Sequence, residues 1–133
     1  DKFKLGRERI VFAETFELSN HISRHSCADL FLDTFNFNAA TTAMWALSSG
    51  LPLITVTGNS FSARIASSIL KACNMDELIT SNYSEYEALA YELATNKDKL
   101  SNIRRRLKEK KDLPFFDSDK FTNQLEKVYT SII

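Results

Sequence analysis

The chain has 133 residues, 44% of them hydrophobic and 26% charged, the profile of one folded domain and not of a disordered tail. Seventeen Lys and Arg balance seventeen Asp and Glu, which argues against a dedicated nucleic-acid binder, whose phosphate contacts demand surplus positive charge. No apolar run approaches the roughly 20 residues that a membrane helix needs, and the only cysteines, Cys27 and Cys73, lie in apolar stretches, so free thiols and a reducing cytoplasmic setting are expected.

In chain order, Arg9-Ile10-Val11-Phe12-Ala13 is a short apolar run that predicts a buried strand. A short helix is expected over Leu18 to Ala28, and a second buried strand over Leu30-Phe31-Leu32, bounded by Asp29 and Asp33. Thr41 to Ser49 reads as a helix apolar on nearly every face, hence buried, with Gly50 in the left-handed position past its end. Leu51 to Val56 predicts a third strand, Pro52 being tolerable at its start. Ser60 suits the N-cap of a helix carrying Phe61, Ile65, Ile69, Leu70 and Cys73, and Glu77-Leu78-Ile79-Thr80 fits a short fourth strand.

The second half reads as helical. Ser84 and Glu87 have capping-box spacing, and behind them Tyr86, Leu89, Ala90, Leu93 and Ala94 follow the helical period. Asn96 is placed to cap a further helix through Leu100, Ile103 and Leu107, which Asp112-Leu113-Pro114 should break. A last helix from about Ser118 carries Phe121, Leu125, Val128, Tyr129 and Ile132 on one face. Buried strands alternating with helices predict an α/β, Rossmann-like parallel sheet with flanking helices. The expected organisation is a single, incomplete domain over 1–133, with a βα core at 9–80 and a C-terminal helical region at 84–133, its first βα unit missing.

Ligands in such sheets gather at the carboxyl ends of strands, where helix N-termini present free N–H groups. The stretch after Asp33 is the most suggestive, since Thr41 and Thr42 at a helix start would offer hydroxyls and amides to one anion, and a diphosphate would fit. The simpler reading, which composition alone favours, is that Thr41 or Asn38 merely caps the helix. Neither a G-x-G-x-x-G loop nor a Lys-bearing P-loop is present. His21 and His25 have i, i+4 spacing without a third ligand at a fixed distance, so no metal is expected, and His21 reads either as a ligand-facing or as a solvated ring. The basic run at Arg104-Arg105-Arg106 threads an apolar stripe without interleaved aromatics and reads as a solvated helix face.

Taken together, Ala28-Asp29-Leu30-Phe31-Leu32-Asp33-Thr34-Phe35, Asn38-Ala39-Ala40-Thr41-Thr42-Ala43 and Gly50-Leu51-Pro52 resemble the C-terminal catalytic lobe of the O-linked N-acetylglucosaminyltransferase (SPINDLY-like) family. The resemblance continues through Ser60 to Ser68, Glu77-Leu78-Ile79, Glu85-Tyr86-Glu87 and Pro114-Phe115-Phe116-Asp117, colinear from Arg9 onward. It implies half of a GT-B glycosyltransferase, whose two Rossmann-like lobes close over UDP-N-acetylglucosamine and transfer the sugar to a Ser or Thr hydroxyl of a protein. No cofactor or metal is implied beyond that donor substrate. By position, Thr41 and Thr42 match the paired threonines on the diphosphate, His21 a histidine facing uracil, Arg24 an arginine of the same helix and Phe16 a backbone contact to the base. Asn38 belongs to the same stretch.

Three positions depart from the family pattern: Ala40 stands where a histidine is usual, Trp45 where an acid holds the ribose, and Leu18 where a lysine helps neutralise the diphosphate. Loss of one charge-assisted hydrogen bond costs about 1.5–3 kcal/mol. The isolated chain is therefore expected to be an inactive fragment, dependent on a missing N-terminal lobe, that binds UDP weakly or not at all. The alternatives are a degenerate, non-catalytic α/β interaction module and a receiver-like regulator using Asp33 as phospho-acceptor. The last helix is expected either to fold onto its own sheet or to pair two copies in a homodimer, because each large apolar side chain gains roughly 1.5–3 kcal/mol on burial.

Overall fold

The computed structural model describes residues 6–109, 115 and 117–132. Three parallel strands, β1 (Phe31–Leu32), β2 (Leu53–Val56) and β3 (Ile79–Thr80), lie in the order β1-β2-β3. Phe31 pairs with Leu53 and Leu32 with Ile54, while Thr55 pairs with Ile79 and Val56 with Thr80. β2 is buried at all four positions, as a near-continuous apolar run in the middle of a parallel sheet should be. Helices α1 (Leu18–Ser23), α2 (Thr41–Ser48), α3 (Ile65–Ala72), α4 (Tyr83–Thr95), α5 (Lys97–Lys108) and α6 (Ser118–Ile132) complete the chain. α2, α3 and α4 pack against β2, and α5 packs on α2 and α4. Leu47, Leu53, Ile54, Leu70, Met75, Leu78, Leu93 and Leu107 form one closed core.

Local chemistry sets the element ends. α2 closes on Gly50 at φ +78°, whose N–H bonds to the Leu47 carbonyl while Leu51 N–H bonds to that of Ala46. This is the paired bonding of a Schellman motif, and it folds Leu51 into the core. α3 ends the same way on Asn74 at φ +54°, with Met75 N–H on the Leu70 carbonyl and Met75 buried. Asn96 caps α5 as expected, its Oδ1 accepting from Lys99 N–H. Ser60 Oγ accepts from Ala63 N–H at the head of the 3₁₀ turn Ser62–Arg64 that leads into α3. Pro52 precedes β2 and contributes its carbonyl to Phe31 N–H at 2.8 Å.

Several elements differ from expectation. Arg9–Ala13 is not a strand: Arg7–Arg9 forms a 3₁₀ turn, and Ile10, Val11 and Phe12 are 55%, 86% and 90% exposed. A strand exists only through its ladder, and no described strand lies beside this segment, so the sheet has three strands and not four. The helix expected over 18–28 divides into α1 and a 3₁₀ segment at Arg24–Cys27. The fourth predicted strand, over 77–80, shortens to β3 because Asp76–Leu78 is a 3₁₀ turn. The box heading α4 is Asn82 with Glu85, not Ser84 with Glu87. Asn82 Oδ1 accepts from Glu85 N–H, and the Glu85 carboxylate accepts from Ser81 N–H and Asn82 Nδ2.

α6 spans the predicted residues but buries none of them; Phe121, Val128, Tyr129 and Ile132 are each more than half exposed. It does not fold onto the sheet. The break expected at 112–114 lies outside the described residues. The basic run of α5 is less solvated than expected, because Arg104 pairs with Asp29 at 2.8 Å and Arg106 pairs with Glu77 and donates to the Asn74 carbonyl.

Candidate functional site: the loop after β1 and the start of α2

β1 delivers Asp33, only 4% exposed, to the carboxyl end of the sheet. A buried carboxylate needs donors, and here Ala39 N–H and Thr55 Oγ1–H each donate to it at 2.7 Å. The Asp33 carbonyl accepts from the Tyr86 hydroxyl, and the Thr55 carbonyl from Thr80 Oγ1. Burial and the Asp33 charge together push the Tyr86 phenol up to about 12, so it remains a donor. Asp33 is therefore the fixed post that ties loop 34–40 to the sheet. Both its oxygens are engaged, which leaves no open carboxylate for a phospho-acceptor role.

Asn38 serves the same loop from beneath. Its backbone N–H donates to the Ser62 carbonyl and its Nδ2 to that of Thr34, and the residue is 1% exposed. Its Oδ1 is buried without a partner among the described residues. The loop so held presents Thr41 exposed and Thr42 half-buried at the first turn of α2. Ala40 is the residue before that turn, with φ −109° and ψ −88°, and no side chain caps the helix. The first-turn amides of α2 therefore carry the positive end of the helix dipole without a side-chain acceptor.

Trp45 follows one turn below Thr41. Its half-buried indole meets the His21 ring edge-on at 5.3 Å, and His21 meets His25 edge-on at 5.1 Å. Ser49 Oγ donates to the Ile22 carbonyl and fixes α1 against α2. His21 and the paired threonines thus belong to one corner of the molecule, with Trp45 between them along α2. Desolvation first, then the charges of Arg24 and His25, lower the His21 pKa and favour the neutral ring. His25 Nδ1–H donates to the His21 carbonyl at 2.8 Å. No group of three His, Cys, Asp or Glu side chains stands together among the described residues.

Arg24 donates to the Glu14 carbonyl, and its guanidinium lies 5.5 Å from the Phe16 ring centroid, which brings these two predicted residues together. Leu18 is exposed at the head of α1. Cys73 is buried, which pushes its thiol up to about 11, whereas Cys27 is exposed.

One concavity was not anticipated. A cleft of about 410 Å³ opens at the carboxyl ends of β2 and β3, between Phe35-Asn36, Thr57-Gly58-Asn59-Ser60 and Ser81-Asn82-Tyr83. Its walls come from three loops distant in sequence. The available signal was the run of small polar residues directly after β2.

Comparison with known proteins shows the family of the chain. The model of Glycosyl transferase family 41 matches residues 1–125. The chain is 37% identical over 100 residues to the Caenorhabditis elegans "UDP-N-acetylglucosamine--peptide N-acetylglucosaminyltransferase", covering 75% of this chain and 9% of that protein. It is 33% identical over 114 residues to the Solanum lycopersicum "Probable UDP-N-acetylglucosamine--peptide N-acetylglucosaminyltransferase SPINDLY", covering 85% of this chain and 12% of that one. A mutant of Thermobaculum terrenum O-GlcNAc transferase superposes with a TM-score of 0.85 at 27% identity, over 92% of this chain and 24% of the solved one. The chain thus spans a small part of each relative, with no helix among its described residues long and apolar enough to cross a membrane. A Rossmann-like sheet of this topology, matched in sequence and in space over most of its length, belongs to glycosyl transferase family 41.

Proposed function

We propose that residues 1–133 form the UDP-N-acetylglucosamine-binding part of a protein O-GlcNAc transferase of the GT-B type, working in the cytoplasm on Ser or Thr hydroxyls of proteins. The observation that carries this reading is the uncapped first turn of α2, with Thr41 and Thr42 on it, at the end of a loop pinned by buried Asp33. Diphosphate oxygens would accept from the threonine hydroxyls and first-turn amides, in the manner of anions at helix N-termini. His21 would face the uracil, Arg24 and Phe16 would close the base side, and Asn38 would hold the loop from below. Transfer in this arrangement is electrostatic: the helix dipole and hydroxyl donors stabilise the departing UDP, and the activity requires a second lobe facing this one. The family match disfavours the degenerate-module alternative.

Leu18, Ala40 and Trp45 remove a cation, an imidazole and an acid from the donor corner, so the chain alone should bind UDP weakly and transfer nothing. An amide-resolved NMR titration of the 133-residue chain with UDP tests this. Weak, saturable shifts at Thr41, Thr42 and His21 are expected, and they should vanish in Thr41→Val/Thr42→Val. Shifts centred elsewhere would overturn the assignment of the threonines, and micromolar affinity by calorimetry would overturn the expectation of weakness. The apolar face of α6 supports a further element of the proposal, pairing of two copies through that helix, which sedimentation velocity would detect as a concentration-dependent dimer.

A further inference from the structure

Near its carboxyl end each strand buries one polar side chain: Asp33 directly after β1, Thr55 in β2 and Thr80 in β3, at 4%, 0% and 6% exposure. β2 has no need of a hydroxyl for its own packing. Leu53, Ile54 and Val56 around Thr55 are apolar and buried, and valine has the same branched shape as threonine, so the strand would form without the Thr55 oxygen. That oxygen serves Asp33 instead. Thr55 Oγ1–H donates to Asp33 Oδ2 at 2.7 Å, and Ala39 N–H donates to Oδ1 at 2.7 Å. From the far side, Thr80 Oγ1–H donates to the Thr55 carbonyl at 2.9 Å. One line of hydrogen bonds therefore runs from β3 through β2 and Asp33 to Ala39, and only Ala40 separates Ala39 from Thr41.

The backbone of Asp33 is held as well. Its N–H donates to the Ile54 carbonyl at 3.1 Å, and its carbonyl accepts from the Tyr86 hydroxyl at 3.1 Å. Loop 34–40 has other anchors, but they fix its middle: Ser62 Oγ–H donates to the Asn36 carbonyl, and the Ser62 carbonyl accepts from Asn38 N–H. The Ala39 amide, nearest the helix, has the Asp33 carboxylate as its acceptor.

Both donors to that carboxylate are neutral, and Asp33 makes no ion pair among the described residues. An anion so deeply buried keeps its place only while hydrogen-bond donors meet it. Without the Thr55 hydroxyl, Oδ2 would face a methyl group. The carboxylate would have to turn towards water or another donor, and the Ala39 amide would turn with it. A bond to a charged acceptor is costlier to lose than one between neutral groups. Thr55 itself is fully buried, so contact with a ligand is closed to it. Resting on the donor reading of α2, we infer that Thr55 is a positioning residue for that site. Its hydroxyl fixes the Asp33 carboxylate and, through Ala39, the direction in which Thr41 and Thr42 present amides and hydroxyls to a diphosphate.

The test compares Thr55→Val with Thr55→Ser in the 133-residue chain by amide-resolved NMR, with UDP as the probe. In the free protein, Thr55→Val should lose hydrogen-exchange protection at Ala39 and displace the Thr41 and Thr42 amide resonances, and Thr55→Ser should restore both. The half-saturating UDP concentration should rise about fivefold in Thr55→Val and return to within about twofold of the unsubstituted chain in Thr55→Ser. Tyr86→Phe, which frees the Asp33 carbonyl without entering the sheet, should weaken UDP about twofold, and it carries the test should Thr55→Val not fold. Ile103→Val, a buried change in α5, which takes no part in this network, should lower stability and leave UDP affinity unchanged. An unaltered Ala39 amide or unaltered UDP affinity in Thr55→Val would overturn the inference. So would a loss that Thr55→Ser fails to recover or that Ile103→Val reproduces. If UDP moves Thr41 and Thr42 equally with and without the Thr55 hydroxyl, only the role of Thr55 falls; if UDP never moves them, the donor reading falls and takes this inference with it.

Discussion

Leu53-Ile54-Thr55-Val56 and Ile10-Val11-Phe12 are runs of the same chemistry with opposite fates. The first is wholly buried between two parallel neighbours, while the second lies more than half exposed at every position. α6 repeats the lesson among helices. Its apolar stripe is as regular as that of α5, yet α5 buries Ile103 and Leu107 and α6 buries nothing. Apolar patterning states what a segment requires; it does not supply the neighbour. The chain spans 9% to 13% of the length of three curated relatives that it matches.

This contrast can be pressed by substitution. Leu47→Ala in the closed core should destabilise the fold by about 2–5 kcal/mol, measured by chemical denaturation, because transfer energy is lost and a cavity remains. A smaller effect is expected at the α1–α2 corner, which joins the buried and exposed regions. The folded state lowers the His21 pKa below its ordinary 6.5, so folding favours the neutral ring. That contribution is present above the unfolded value and fades as pH falls through it towards the lower folded value. Thermal stability should therefore drop between about pH 7.5 and about pH 5.5, and His21→Phe should flatten part of that slope; an identical slope in the variant would show that His21 is not its source. At the other extreme, Phe12→Ser should change stability by no more than about 0.5 kcal/mol in this chain. A loss near that of Leu47→Ala would mean that the N-terminal segment is docked in solution.

Much of the fold was legible because helix ends are written in local chemistry. Gly50 and Asn96 act where their residue types predicted, since a left-handed turn and an N-cap depend on a few adjacent atoms. The error at α4 shows the limit of that legibility. Ser84-Glu87 and Asn82-Glu85 both have capping spacing, and the choice between them fell to the handover from β3, which a local pattern does not contain. Asn74 closes α3 as Gly50 closes α2, and it went unread because asparagine marks that position less plainly than glycine. At the site, the placement of Thr41 and Thr42 after β1 was visible as a strand-loop-helix pattern. The burial of Asp33, the contact of His21 with Trp45 and the cleft beside Tyr83 were not, because each joins residues from different elements.

By itself the sequence determined the alternation of apolar strands and helices, the capped ends of α2 and α5 and the position of the paired threonines, all consequences of backbone preference and short-range periodicity. Tertiary structure alone decided which apolar runs find a partner, that Asp33 is a buried post and not an open acid, and that three separated loops enclose a neutral cleft. Those outcomes depend on contacts between residues far apart in the chain, whose energy comes from burial and mutual hydrogen bonding and is present only once the elements have packed.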